Sequence, residues 1–418
     1  MKLIVLNHLG PLLAALDTAP AWSTLKNALL LGLLLGQVPA SAILLSRLLR
    51  GPRRHPPLQP QSAQPEFLGA VSVVVPTLNE VDRLSPCLHG LSRQSYEVRE
   101  ILVVDSHSQD GTPDLVKVAQ QSDPRFRLMN DDPLPPDWVG RPWALHNGFL
   151  SSVEDSEWIL GIDADTQPQP GLVSSLIATA TTEGYDLISL SPQFILKHPG
   201  ELWLQPALLM TLVYRFGPAG ETANSADRVM ANGQCFFCRR STLAAVGGYS
   251  SARRSFCDDV TLARNIAAQG AKVGFLDGAK VLKVRMYDGM AETWREWGRS
   301  LDLKDAASVA QVWGDWLLLL AVQGLPLPLT LLLLPTVLQG SVLQGAASLP
   351  GQVAFALNLL LVLIRVGLNF AIAPSYDRSQ AQAAWAFWLS PIADPLAVLR
   401  IFLSSIQKPK SWRGRSYE

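Results

Sequence analysis

WILGIDADTQP (158–168) decides how this chain is read: an apolar run ends on two aspartates, Asp163 and Asp165, one residue apart. Neighbouring residues of a strand face opposite sides and residues two apart share a side, so the spacing predicts both carboxylates on one face at a strand end. Two like charges held that close need a cation between them. A hard divalent ion takes one or two carboxylates together with phosphate oxygens. Upstream, VSVVVPTLNE (71–80) is a strand run stopped by Pro76 and followed by a polar turn, and EILVVDSHSQDGT (100–112) repeats the design with Asp105 at its end. Ligands of open α/β sheets bind beyond the carboxyl ends of the strands. Three polar clusters at three predicted strand ends therefore point to an α/β domain whose loops share one site.

Around this domain the chain is unusually apolar. Of its 418 residues 48% are hydrophobic and 17% charged, and the 35 basic and 35 acidic residues cancel. That balance excludes the strong positive field of a nucleic-acid binder. Four cysteines (Cys87, Cys235, Cys238, Cys257) make no disulfide scaffold at this length. The apolar excess lies at the two ends. An uncharged stretch at 28–45, followed at once by Arg47, Arg50, Arg53 and Arg54, is long enough with its flanks to cross a ~30 Å hydrocarbon core. The positive-inside rule puts its arginine side in the cytoplasm. The earlier run 3–16 reads alternatively as a signal-peptide core.

Apolar segments follow the domain at 316–338, 353–373 and 384–406, with an uncharged loop at 339–352 that looks external. The tail carries Lys408, Lys410, Arg413 and Arg415 and should be cytoplasmic, which three C-terminal crossings would forbid. Pro391, Asp394 and Pro395 inside 384–406 predict a broken, re-entrant segment there, and hence three full spans in all. Arg365 and Asp394 fall at membrane depth, where such residues pair or face a polar cavity. The predicted organisation is a membrane segment at 1–50, a basic, proline-rich linker at 51–67, a catalytic domain at 68–305, membrane segments at 306–407 and a basic tail at 408–418.

The order P-T-L-N-E, V-V-D-S-x-S-x-D-G-T, D-A-D and C-D-D-V-T-L-A, from about 70 to 305, resembles the family 2 glycosyltransferases of the GT-A (Rossmann-like) fold. The resemblance implies that Pro76, Thr77, Asn79, Glu80 and Asp105 hold the nucleoside of a sugar donor. It implies that Asp163 lies by the ribose and diphosphate, and that Asp165, with Asp163, binds Mg²⁺ or Mn²⁺. In SFCDDVTLARNIAAQG (255–270) it makes Asp259 the general base, with Asp258 standing where the family has glutamate. An inverting transfer needs such a carboxylate to take the proton of the attacking hydroxyl. The bland alternative is a pair of acids complementing a helix N-terminus, and both readings can hold together. The second cluster departs from the usual D-D-G-S, having Asp105-Ser106-His107-Ser108.

PLPPDWVGRPWALHNG (133–148) resembles the W-x-G-K-x-x-A segment of members acting on isoprenoid-type lipids, with Arg141 at the lysine position and thus a diphosphate contact; the alternative is a salt-bridged arginine. Arg295 and Arg299, set among Trp294 and Trp297, suit a membrane interface or an arginine closing over the diphosphate. The Q/R-x-x-R-W of processive synthases is replaced by W-R-E-W-G-R. With R-M-Y at 285–287 this resembles the hopanoid-associated and carotenoid 2'-O-glycosyltransferases.

C-x-x-C in GQCFFCRRS (233–241) invites a metal reading, but residues three apart on a strand face opposite ways, so both thiols are expected as small apolar strand residues. The family resemblance implies that Gly233 and Gln234 line the acceptor entrance. ELWLQPALLMTLVYRFG (201–217) is either a helix in the membrane interface or a buried core helix. Together these imply a membrane-bound, metal-dependent inverting glycosyltransferase with a cytoplasmic catalytic domain. It would move a sugar from a nucleotide-sugar donor to a hydroxyl of a bilayer lipid, a hydroxylated carotenoid being favoured over hopanoid, ceramide or diacylglycerol. A processive polysaccharide synthase and a non-catalytic membrane scaffold are the competing classes.

Overall fold

The computed structural model describes residues 20–297, 301, 303–342, 348–407 and the pairs 411–412 and 415–416. The 3–16 run and Arg299 lie outside the described residues.

A 29-residue helix, α1 (Pro20–Leu48), leads into the α/β domain. There β1 (Val71–Thr77), α2 (Leu84–Ser92), β2 (Val98–Asp105), α3 (Thr112–Ser122), β3 (Phe126–Asn130), α4 (Gly140–Ser151) and β4 (Trp158–Ile162) alternate. Next come β5 (Thr166–Pro168), α5 (Leu172–Glu183), β6 (Leu187–Ser191), β7 (Gln193–Ile195), α6 (Pro199–Phe216), β8 (Cys235–Arg239), α7 (Arg240–Ala245), α8 (Asp258–Ala268), β9 (Val273–Asp277) and β10 (Leu282–Val284).

Seven strands form one sheet in the order β3-β2-β1-β4-β8-β6-β9, with β8 antiparallel to both neighbours and every other pair parallel. Strands covered on both faces read as continuous apolar runs, and β1 and β2 do. Val71, Val73 and Val75 enter one core cluster with Ile101 and Val103, while Val74, Leu102 and Val104 enter the cluster on the other face. Helix α4 lies so close to the sheet that a Cβ on Gly148 would stand 2.3 Å from Val74 Cγ1. This is the expected α/β arrangement, with a parallel-dominated sheet opening its loops at one end.

A second sheet, β11-β7-β10-β5, ties the C-terminal part to the domain through β11 (Tyr376–Asp377). Helices α9 (Gly289–Glu292), α10 (Val309–Leu319), α11 (Pro326–Val342), α12 (Leu349–Ile372) and α13 (Asp394–Ile406) complete that part. Helix α6 is mostly buried, and its Leu202, Leu204, Leu208 and Tyr214 share a core cluster with Leu318, Leu361, Phe387 and Ile401. Of the two sequence alternatives for 201–217, the buried helix is the one found.

Among the described residues three helices are long and apolar enough to cross a membrane, Thr24–Arg53, Leu349–Ser375 and Ala384–Ile406, and a bent pair, Val309–Gly324 with Pro326–Leu338, makes a fourth if it is one span. The predicted break in 384–406 falls elsewhere. A ten-residue 3-10 helix, Ala384–Ala393, runs straight on into α13, whose Pro395 sits in the first turn, where a missing N–H is harmless. The sharp bend, 42°, separates Val309–Gly324 from Pro326–Leu338. A π-helical turn, Leu320–Gly324, precedes it, and Pro326 carries no N–H to continue the helix.

Arg365 and Asp394 pair as membrane-depth charges are expected to. Arg365 Nε donates to Asp394 Oδ2 at 2.8 Å, and both side chains are 4% exposed. Gln323 adds an N–H to Asp394 Oδ1 at 3.1 Å, and the Ser390 hydroxyl donates to Asn369 Oδ1 at 3.2 Å beside the guanidinium.

Candidate active site

A cavity of about 480 Å³ opens at the carboxyl ends of β1 and β4, lined among others by Pro76, Thr77, Glu80, Arg141, Asp163, Asp165, Asp258 and Asp259. The pleat is not what brings the two D-x-D carboxylates there. β4 ends at Ile162, and Asp163 to Asp165 form the turn into β5. Thr166 closes that turn, its N–H and its hydroxyl both donating to Asp163 O, at 3.2 and 2.7 Å. The predicted convergence is present, made by the turn.

Asp258 and Asp259 begin α8 and occupy its first turn, where a helix end favours negative charge. Arg141, on α4, reaches across to them. Its Nε donates to Asp163 Oδ1 at 2.9 Å, Nη2 pairs with the same oxygen at 2.8 Å and donates to Gly233 O at 2.7 Å, and Nη1 donates to Asp258 Oδ2. Asp259 faces the cavity differently. Its Oδ2 accepts the Gly233 N–H at 2.6 Å and its Oδ1 accepts the Val260 N–H at 2.9 Å. Burial pushes the Asp258 carboxyl above its ordinary range, opposed by Arg141 and reinforced by Asp259 and Asp163. Burial likewise raises Asp259, with Arg141 again opposing. Burial works against the Arg141 charge too, but Asp163, Asp258 and Asp259 outweigh it and hold the guanidinium above its usual range.

Asp105 stands behind the cavity wall rather than in it. It is 1% exposed and accepts from the Thr77 hydroxyl at 3.1 Å and from the Ser108 N–H and hydroxyl at 2.9 and 2.6 Å. Asn79 is also set back. It takes φ +53° at the turn after β1, donates its N–H to Ser108 Oγ at 2.8 Å and accepts the Gln109 N–H at 2.9 Å. Both therefore shape the loop whose edge, Ser106, lines the cavity. His107, at the glycine position of the usual D-D-G-S, keeps a left-handed φ of +62°, a conformation strained for a side chain with a Cβ.

Arg295 lines the cavity and pairs with its neighbour Glu296 at 3.1 Å. Arg83 was missed by the sequence and lines it as well. It donates to Met286 O at 3.0 Å and to Glu292 Oε1 at 2.9 Å, fixing the segment that carries Met286, Tyr287 and α9 over the opening. The signal available was a lone cation three residues past Glu80, in the same turn. Arg285 secures the other side of the segment on the fully buried Glu201, 2.7 Å away.

Among the described residues no group of three or more His, Cys, Asp or Glu side chains could hold a metal by itself. Two carboxylates on one turn still suit Mg²⁺ or Mn²⁺, which take the rest of their ligands from water and substrate phosphates. The C-x-x-C is no ligand pair. Cys235 packs into the core cluster on one face of the sheet and Cys238 into that on the other.

Residues 72–247, from β1 to α7, match the glycosyl transferase family 2 domain. A 4,4'-diaponeurosporenoate glycosyltransferase of Staphylococcus haemolyticus is 24% identical over 233 residues, 55% of this chain and 61% of the relative. The enzyme of the same name from Staphylococcus aureus is 25% identical over 235 residues, 56% of this chain and 60% of the relative. The chain thus spans about three-fifths of the length of these two relatives. Among solved structures, a mannosyltransferase of Pyrobaculum calidifontis in complex with GDP-Man and Mn²⁺ aligns with TM-score 0.46 and 17% identity, covering 88% of this chain and 98% of its own.

Proposed function

We propose that the chain is a membrane-bound, inverting glycosyltransferase that moves a sugar from a nucleotide-sugar donor to a hydroxyl of a bilayer lipid, with a hydroxylated carotenoid the favoured acceptor. The supporting observation is the meeting, in one cavity, of the D-x-D turn and the paired acids at the start of α8. Two similar proteins named for a carotenoid-type acid support a lipid acceptor. The apolar helices that pack beside α6 support its delivery from a membrane, and the arginines that follow 28–45 support a cytoplasmic catalytic domain.

In this reading Pro76, Thr77 and Glu80 bind the nucleoside, with Asn79 and Asp105 shaping the loop around it. Asp165 and Asp163 hold Mg²⁺ or Mn²⁺, which supplies the charge that stabilises the departing diphosphate. Asp259 takes the proton of the attacking hydroxyl. Its Oδ2 is held by the Gly233 N–H, so the carboxylate is oriented before the acceptor arrives, and its raised proton affinity makes it a stronger base than an exposed aspartate. Asp258, paired with Arg141, fixes the start of α8 beside it. Arg295 and Arg299 remain candidates for a diphosphate contact.

The test is mass spectrometry of total lipid and pigment extracts from the host with the gene intact, deleted, and complemented by wild type or Asp259→Asn. Loss of a glycosylated carotenoid with build-up of its aglycone, restored only by wild type, supports the reading. Loss of a different glycolipid replaces the acceptor and keeps the reaction. An unchanged lipid profile removes the lipid-transferase reading.

A further inference from the structure

Arg141 was expected to grip the donor diphosphate, and its contacts leave little with which to do so. A guanidinium has five N–H donors. Nε–H goes to Asp163, one Nη2–H to Gly233 O and one Nη1–H to Asp258, and Nη2 also stands 2.8 Å from the same Asp163 oxygen as an ion pair. All three nitrogens are thus already engaged by protein oxygens, whereas a bidentate phosphate contact takes two parallel N–H groups. Gripping a phosphate would require dropping a buried carboxylate or carbonyl, which is costly to leave unpaired.

The backbone also prevents the guanidinium from swinging. A Cβ at residue 233 would stand 2.4 Å from Nη2 and 2.7 Å from Cζ, so the Gly233 main chain is pressed against it. That same glycine donates its N–H to Asp259. The contacts thus run unbroken from Asp163 through Arg141 and Gly233 to Asp259, across segments 22 and 92 residues from Arg141 in the chain.

We propose that Arg141 is a positioning residue, one that rivets the D-x-D turn to the start of α8 and so sets where Asp259 stands relative to the metal-binding carboxylates, and that it does not chelate the diphosphate. This rests on the transferase reading above for its roles, and on the contacts alone for its geometry. Arg141 and a divalent ion then share Asp163, so removing the guanidinium frees a carboxylate for the ion.

The test uses the full chain in lipid nanodiscs. Mn²⁺ binding is followed by electron paramagnetic resonance without nucleotide, UDP and GDP binding in the presence of Mn²⁺ by calorimetry, and turnover separately. In Arg141→Gln, Mn²⁺ without nucleotide is expected to bind roughly fivefold more tightly, the scale of losing one competing ion pair. Nucleoside diphosphate affinity should stay within about threefold, while kcat falls about 100-fold with donor KM little changed, as for a misplaced base. Gly233→Ala keeps every charge and displaces the guanidinium, and should show the same loss of kcat. Unchanged or weaker Mn²⁺ binding in Arg141→Gln overturns the proposal, as does a 100-fold loss of nucleotide affinity or wild-type turnover in Gly233→Ala. If Arg141→Gln does not fold, Arg141→Lys is measured in its place, since lysine's compact ammonium cannot span Asp163, Gly233 and Asp258 together. A wild-type chain that binds nucleotide and Mn²⁺ but transfers nothing removes the transferase reading, and the Mn²⁺ titration still decides what Arg141 does.

Discussion

Two buried arginine–aspartate assemblies among the described residues differ in what surrounds them. Arg141 bridges Asp163 and Asp258 in the wall of a cavity of about 480 Å³. Arg365 meets Asp394 among apolar helices, sealed by Gln323, Asn369 and Ser390. Burying ions is costly unless their remaining hydrogen-bonding capacity is met. The sealed pair meets it with protein groups from α12, α13, the 3-10 helix and the π-helical turn, and so fastens those elements together. The cavity assembly has one face towards solvent, where an ion or substrate can enter the exchange. The same side chains act as a fastener in one place and as chemistry in the other.

That contrast breaks first at the base. Asp259→Asn should lower turnover by about 10³-fold while leaving nucleotide binding intact, read by radiolabelled sugar transfer alongside calorimetry. Retained turnover would make the paired acids of α8 as structural as Asp394. On the sealed side, Asp394→Leu alone should destabilise the chain by about 3–5 kcal/mol by stranding Arg365, followed by thermal unfolding in detergent. The double variant Arg365→Met with Asp394→Leu should recover most of that loss. Additive losses would mean the pair is not an isolated fastener.

A change of pH sharpens the comparison within the cavity. Burial raises both Asp258 and Asp259 above the ordinary carboxylate range, so they are charged only at a penalty. As pH falls through their raised range they take up protons, the penalty is relieved, and stability rises while the base is lost. The acid limb of kcat/KM should therefore lie above about pH 4, the usual value for an exposed aspartate, and stability should move the opposite way across the same window. A limb at the ordinary value would mean that the cavity is wetter than its contacts imply. The smallest effect belongs to a third pair, part-exposed Lys283 and Asp377, 2.7 Å apart between β10 and β11. Hydrogen bonds from Lys283 and then Ser379 hold Asp377 down to about 2. This pair stabilises the fold above about pH 4, and its contribution fades as pH falls through the depressed value. Lys283→Met should cost only about 0.2–1 kcal/mol, read by thermal unfolding at pH 7.

Strand-end chemistry was legible in the sequence because a buried parallel strand must be apolar and must stop at a polar loop, as Val71–Thr77, Val98–Asp105 and Trp158–Ile162 do. The opposite facing of Cys235 and Cys238 followed from strand geometry alone and is what the two core clusters contain. Local periodicity could not say that Asp163 and Asp165 meet through a turn, because a strand end and a tight turn look alike over three residues. Nor could it find the partners of Arg141, which come from segments far along the chain. The helix break was misplaced for a related reason. Pro395 falls in the first turn of α13, where its missing N–H is harmless, and Pro391 lies within the 3-10 helix that leads into it, so neither proline interrupts the segment. His107 shows a third limit, since its left-handed backbone is set by the loop and not by its own preference.

One consequence of the packing bears on how the chain can be handled. All four cysteines are buried; burial pushes Cys87 up to about 12 and raises Cys235 and Cys238 as well. Thiols in that state are poor nucleophiles at neutral pH, so the native chain should stay silent towards maleimides while folded. A single cysteine introduced at 348 or 382 then reports alone, and a membrane-impermeant reagent applied to intact cells reads which side of the bilayer each position faces.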